Sequence, residues 1–120
     1  MIKITGSKTI TLDTNGESVS VTPTPMKGKI NKILVKFGTA TKARVIITGE
    51  DTTDIKILDK TITKSGSITS YEFYPVVQSC DYAGTAISGE YDHPVACGYL
   101  KFTISGGVAG TTLSIVLCYE

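Results

Sequence analysis

The chain has 120 residues, a length that fits one domain built around one core. Its 12 Lys and Arg stand against 11 Asp and Glu, so the summed field is weak and counterion release would add little to binding a polyanion. A nucleic-acid partner is therefore not expected, and with one His (His93), one Arg (Arg44) and no Trp the usual catalytic side chains are almost missing.

Thr, Ile and Val supply about a third of the residues, and β-branched side chains favour a pleated surface over a helix. The first residues, Met1 to Lys8, hold no apolar block of signal-peptide length, and nowhere do 18 apolar residues run together. The expectation is a soluble product made in the cytoplasm, without a membrane partner. In chain order, Ile2/Ile4, Ile10/Leu12 and Val19/Val21 alternate with polar residues. Asp13-Thr14-Asn15-Gly16 between the last two pairs predicts a hairpin within an N-terminal arm spanning residues 1–28. Pro23 and Pro25 then interrupt any ladder and mark a crossing or an edge.

From Lys29 the two-residue beat restarts with Ile33, Val35 and Phe37 on one face. Ala43 to Thr48 is apolar on both faces at its centre and reads as an interior strand. Asp54 to Thr63 and Ile68 to Tyr74 follow as strands, the second with Tyr71 and Phe73 on one side and stopped by Pro75. Val76 to Pro94 has no clear beat and is expected as a long loop, the kind of segment that often carries function. Val95 to Ile104 and Thr111 to Tyr119 read as a closing hairpin around Gly106, Gly107 and Gly110. About eight or nine short antiparallel strands without a helical period predict a single β-sandwich, jelly-roll-like or immunoglobulin-like.

Chemistry is sparse. Cys80, His93, Cys97 and Cys118 could be drawn as a zinc set, but no C-x-x-C pair supports it, and free thiols are the default in a reducing compartment. A Cys–His nucleophile built from His93 with Cys97 or Cys80, oriented by Asp92, is outweighed by a solvated turn histidine. Asp81, Glu90 and Asp92 offer carboxylates for glycoside hydrolysis, and with Asp51 and Asp54 they offer hard oxygens for calcium, yet no loop motif organises them. No enzyme activity, cofactor or metal is expected. Tyr82 and Tyr91 in the long segment could form an adhesive patch, because tyrosine brings large amphipathic area at low entropic cost.

Tyr71-Glu72-Phe73-Tyr74-Pro75, a loop with Gly84, the run Pro94 to Ile104, a Gly-rich turn and Leu113 to Glu120 together resemble small virion proteins of tailed bacteriophages. The resemblance reaches back to Lys32 to Ile57, covers about residues 30–120, and departs at Val76, where such chains often place Arg. It implies a capsid decoration or cement protein of the virion, with the major capsid protein as partner and a homo-oligomer, a trimer, as its form. Main-chain pairing along Ile2, Lys3, Ile4 and Thr5, and side-chain contact through Tyr82 and Tyr91, are the expected means of attachment. The alternative is a receptor- or carbohydrate-binding sandwich of a fibre or adhesin.

Overall fold

Ile33, Val35 and Phe37 do share a face, and they lie buried in the longest strand of the molecule, β4 (Met26–Phe37). The computed structural model describes residues 3–5, 9–50, 56–80, 83 and 85–120. Before β4 come β1 (Lys3–Ile4), β2 (Thr9–Thr11) and β3 (Ser18–Val21). After it come β5 (Lys42–Gly49), β6 (Lys56–Thr63), β7 (Ser70–Phe73), β8 (Val77–Cys80) and β9 (Ala86–Asp92). The chain closes with β10 (Val95–Gly98), β11 (Leu100–Ser105) and β12 (Thr112–Tyr119). No helix occurs among the described residues.

Two antiparallel sheets face one another. In the first, β12 and β4 are the inner strands; β1 and β2 share the outer edge of β12, while β7 and β10 share the outer edge of β4. The second runs β3-β11-β5-β6. Each sheet thus has four strand positions, and the chain changes sheet at every connection between positions except the β5–β6 hairpin. That is the strand order of a jelly roll, which settles the choice between the two expected sandwiches. β5 is an interior strand, as its two-sided apolar centre predicts.

The core lies between the sheets. Ile33, Val35, Leu113 and Leu117 from the first meet Val45, Ile47, Leu100 and Ile104 from the second, all buried. Each such side chain contributes about 1.5–3 kcal/mol relative to exposure. The rings of Phe37 and Tyr71 add a tilted contact at 5.5 Å. Thr22 and Thr48 are the buried polar residues among those described, and the Thr22 hydroxyl accepts the Leu100 N–H at 3.1 Å.

Three expectations are corrected. The Asn15-Gly16 turn forms, with Gly16 at φ 71° and its N–H donated to the Asp13 carbonyl at 3.0 Å, but its arms do not pair. β2 joins β12 and β3 joins β11, so the turn carries the chain from one sheet to the other and the expected arm has its described strands built into both sheets. The closing hairpin is absent for the same reason: β11 pairs with β3 and β5, β12 with β4, β1 and β2. Gly98, at φ 117°, ends β10, and Tyr99 separates it from β11 where the chain changes sheet. The third correction concerns residues 76–94, which hold an antiparallel ribbon, β8 against β9, with Val77 opposite Asp92 and Gln78 opposite Tyr91. Beyond these corrections, the Val19/Val21 alternation resolves with both valines pointing away from the core. They stand opposite Thr103 and Lys101 and share their outward face, while Ser18 and Ser20 face inward.

Candidate interaction surface

β7 and β10 lie end to end along one edge of β4, both antiparallel to it, with Phe73 opposite Ile33 and Val95 opposite Lys29. They form one edge line, and the β8–β9 ribbon is an excursion from it. Two prolines set the exit and the return. Pro75 and Pro94 are buried, and the Pro94 carbonyl accepts the Ile30 N–H at 2.9 Å. His93 bridges the two ends, its Nδ1 lying 3.1 Å from the Pro75 carbonyl oxygen. A carbonyl only accepts, so Nδ1 carries the proton in this contact.

Charge pairs hold the base of the ribbon to the sheet. Lys29 Nζ donates to Asp92 Oδ2 at 3.0 Å, and the other Asp92 oxygen accepts the His93 N–H at 2.7 Å. Lys29, with help from that N–H, holds the Asp92 carboxyl below its ordinary 3.8. Beside them, Tyr74 donates its hydroxyl to Glu72 Oε2 at 2.9 Å, and Lys32 approaches Glu72 Oε1 at 3.3 Å. Those two bonds, the tyrosine's first, keep Glu72 below its ordinary 4.5, and Glu72 in turn raises Tyr74 and Lys32. Both carboxylates are already engaged, so neither is a free base.

What the region offers a partner is area. Tyr74, Val76, Tyr91 and Val95 are all exposed around the ribbon base, Tyr91 by 58%. Among the described residues, no group of three or more His, Cys, Asp or Glu converges as a metal site would require. Cys97 lies on β10 and Cys118 on β12, with β4 between them, opposite Lys27 and Lys32. Asp51, Asp54 and Asp81 lie outside the described residues.

The expected contact residues do not form one patch. Lys3 and Ile4 make the edge strand β1 opposite Tyr119 and Cys118, and Ile4 is 67% exposed. Thr5 ties that edge down, donating its N–H to the Leu117 carbonyl at 3.0 Å and accepting the Leu117 N–H on its hydroxyl at 2.9 Å. Tyr91 belongs to the ribbon on the opposite edge of the same sheet. Three strand spacings, about 14 Å at ~4.8 Å each, separate the two edges. Ile2 and Tyr82 lie outside the described residues.

Sequence reasoning missed two features. The ribbon was hidden because Gly84 and Gly89 break the alternation, Gly89 at φ 80°. The second is a cleft of about 680 Å³ on the open side of the sandwich, between the edges β1–β2 and β3, floored by Ile10, Phe102 and Ile115 and walled by Ser18 and Ser20. Among the described residues, no charged side chain lines it. Compared with protein-family models, with curated proteins and with solved structures, the chain finds no match.

Proposed function

We propose that this chain is a virion structural protein, a decoration or cement protein that binds the major capsid protein on the outer shell of a tailed bacteriophage and stabilises that shell. The observation that carries this reading is the ribbon. A two-stranded excursion pinned at its base by Lys29–Asp92 and His93, with exposed Tyr74, Val76, Tyr91 and Val95 around it, can reach across a joint between shell subunits while the sandwich core stays closed. Jelly rolls recur both in viral capsid proteins and in lectins, so the fold alone supports either a virion or a glycan-binding role. The resemblance of residues 30–120 to phage virion proteins favours the first. Many copies on one shell let weak single contacts sum, and the reading includes no chemical turnover.

Purified protein mixed with capsids that lack it tests the proposal, with occupancy read by co-sedimentation and shell stability by thermal release of the packaged contents. The intact chain should saturate the shell and raise the release temperature. Because Ile4 and Tyr91 lie at opposite edges, two variants divide the surface: one replaces residues 79–90 by a short Gly turn, the other removes residues 1–4. The first should lower occupancy severalfold while the sandwich still folds. If both variants decorate at wild-type occupancy, neither edge is the contact; if the intact chain ignores capsids and binds glycans on an array, the carbohydrate-binding reading replaces this one.

A further inference from the structure

We infer that β3 is a self-association edge, through which two copies of this chain pair antiparallel about a two-fold axis to form one continuous eight-stranded sheet. Thr22 donates its N–H to the Leu100 carbonyl at 3.0 Å, which fixes the phase of the ladder. A residue's N–H and C=O point to the same side of a strand and alternate along it, so Ser18, Ser20 and Thr22 face β11. Val19 and Val21 then turn their main-chain groups to the open side, where β3 has no neighbouring strand among the described residues.

Those two residues suit a symmetric pairing. With Ser20 opposite Ser20 of the second copy, Val19 stands opposite Val21 of the second copy and the reverse, and both are hydrogen-bonded positions. Four main-chain hydrogen bonds result. The same register puts four valines on one outer face, where Val19 is now 63% and Val21 41% exposed, and directly opposed apolar side chains stabilise a sheet.

Charge selects the partner. From Ser18 to Met26 the chain carries no charged residue, so this edge meets itself without like-charge repulsion. The opposite edge of the same sheet, β6, carries Lys56, Asp59 and Lys60, a common protection against such pairing. In the other sheet β1 carries Lys3 and β7 carries Glu72, and of the uncharged edge strands β2 is three residues long and β10 ends at Gly98, at φ 117°. β3 lacks the proline, bulge or lysine that would guard it.

Sedimentation equilibrium of the chain alone, over a wide concentration range, tests this independently of any capsid, so the two proposals fail separately. The wild type should show a reversible monomer–dimer equilibrium. The double variant Val19→Lys, Val21→Lys sets lysine against lysine at both pairs and should raise the dissociation constant at least about tenfold. Val19→Glu with Val21→Lys places opposite charges across the axis and should recover dimers relative to the double lysine. Ile68→Lys, an exposed site between β6 and β7, strands that do not pair with β3, should change nothing. Circular dichroism and melting confirm that each variant folds. A wild type that stays monomeric at the highest soluble concentration, an assembly the double lysine does not weaken, or a charge swap no better than the double lysine overturns the assignment.

Discussion

Lys29 Nζ lies 3.0 Å from Asp92 Oδ2, and that ion pair ties the last residue of the ribbon to the central strand β4. The two residues are 63 positions apart, so the contact exists only because β10 returns to the edge that β7 left. Both side chains are about half exposed, which limits the pair's worth to global stability but not its value in orienting the ribbon. Asp92→Asn should leave the melting midpoint almost unchanged and speed amide exchange in Val77–Cys80 and Ala86–Asp92. Hydrogen exchange read by mass spectrometry checks this; equal protection in both proteins would show that the prolines and His93 suffice.

Acid should weaken the fold through Asp59, Glu72 and Asp92. Arg44, then Lys56, holds Asp59 far below its ordinary value, and Glu72 and Asp92 are also depressed. A carboxylate depressed in the folded chain contributes stability above its unfolded pKa and loses it as pH falls through the folded one. The urea midpoint should therefore hold between pH 7 and pH 5 and drop below about pH 4, where unfolded carboxylates take up protons. Because these groups are exposed, 1 M salt should flatten the slope.

Core and surface positions of one alternating pattern should part sharply. Ile33→Ala empties a fully buried site between the sheets and should cost about 2–5 kcal/mol in chemical denaturation. Val19→Ala, on an exposed outward face, should stay within about 0.5 kcal/mol.

Gly28 sits inside β4 at φ 140°, and a Cβ there would run into the backbone carbonyl of Glu120. Lys29 and Glu120 exchange two main-chain hydrogen bonds beside it, at 2.7 and 2.9 Å. Gly28→Ala should destabilise the chain by about 1–3 kcal/mol through strain and loss of that pairing. Amide exchange at Lys29 and Glu120 should rise; unchanged exchange would mean that the strand end adjusts without breaking.

The thiols should differ in reactivity. Cys97 is exposed on β10 and Cys118 half-buried on β12, so a thiol reagent should modify Cys97 before Cys118 in the native protein. Cys97→Ser should leave the melting temperature unchanged. EDTA should do the same, since a structural metal would couple its binding energy to folding and its removal would lower the midpoint.

Much of the strand content was legible because a period of two is local. Ile33, Val35 and Phe37, Tyr71 with Phe73, and Leu113, Ile115 and Leu117 each announce one face of a strand, and those faces are the buried or core-packed ones. The Pro23 to Pro25 interruption likewise marks the crossing from β3 to β4. The candidate surface was half legible. Tyr91 and the segment around it stood out, but the ribbon's pairing and its seat on β4 did not, since Pro75, His93 and Lys29 meet only after the edge strand has been split and rejoined.

By itself, then, the sequence determined that this is an all-β chain, where most strands run, and which side chains travel together on a face. Tertiary structure alone decided which strands are neighbours and which face looks inward. Asn15-Gly16 specifies a turn but not that its arms lie in one sheet, and the Val19/Val21 beat specifies two faces without saying which one the core takes. Pairing with β11 made that choice, opposing Val19 to Thr103 and Ser20 to Phe102 and turning the valines outward. The physical reason is that alternation is set by the backbone of one strand, whereas register is set by hydrogen bonds and packing to a partner some eighty residues away, where Leu100 receives the N–H of Thr22.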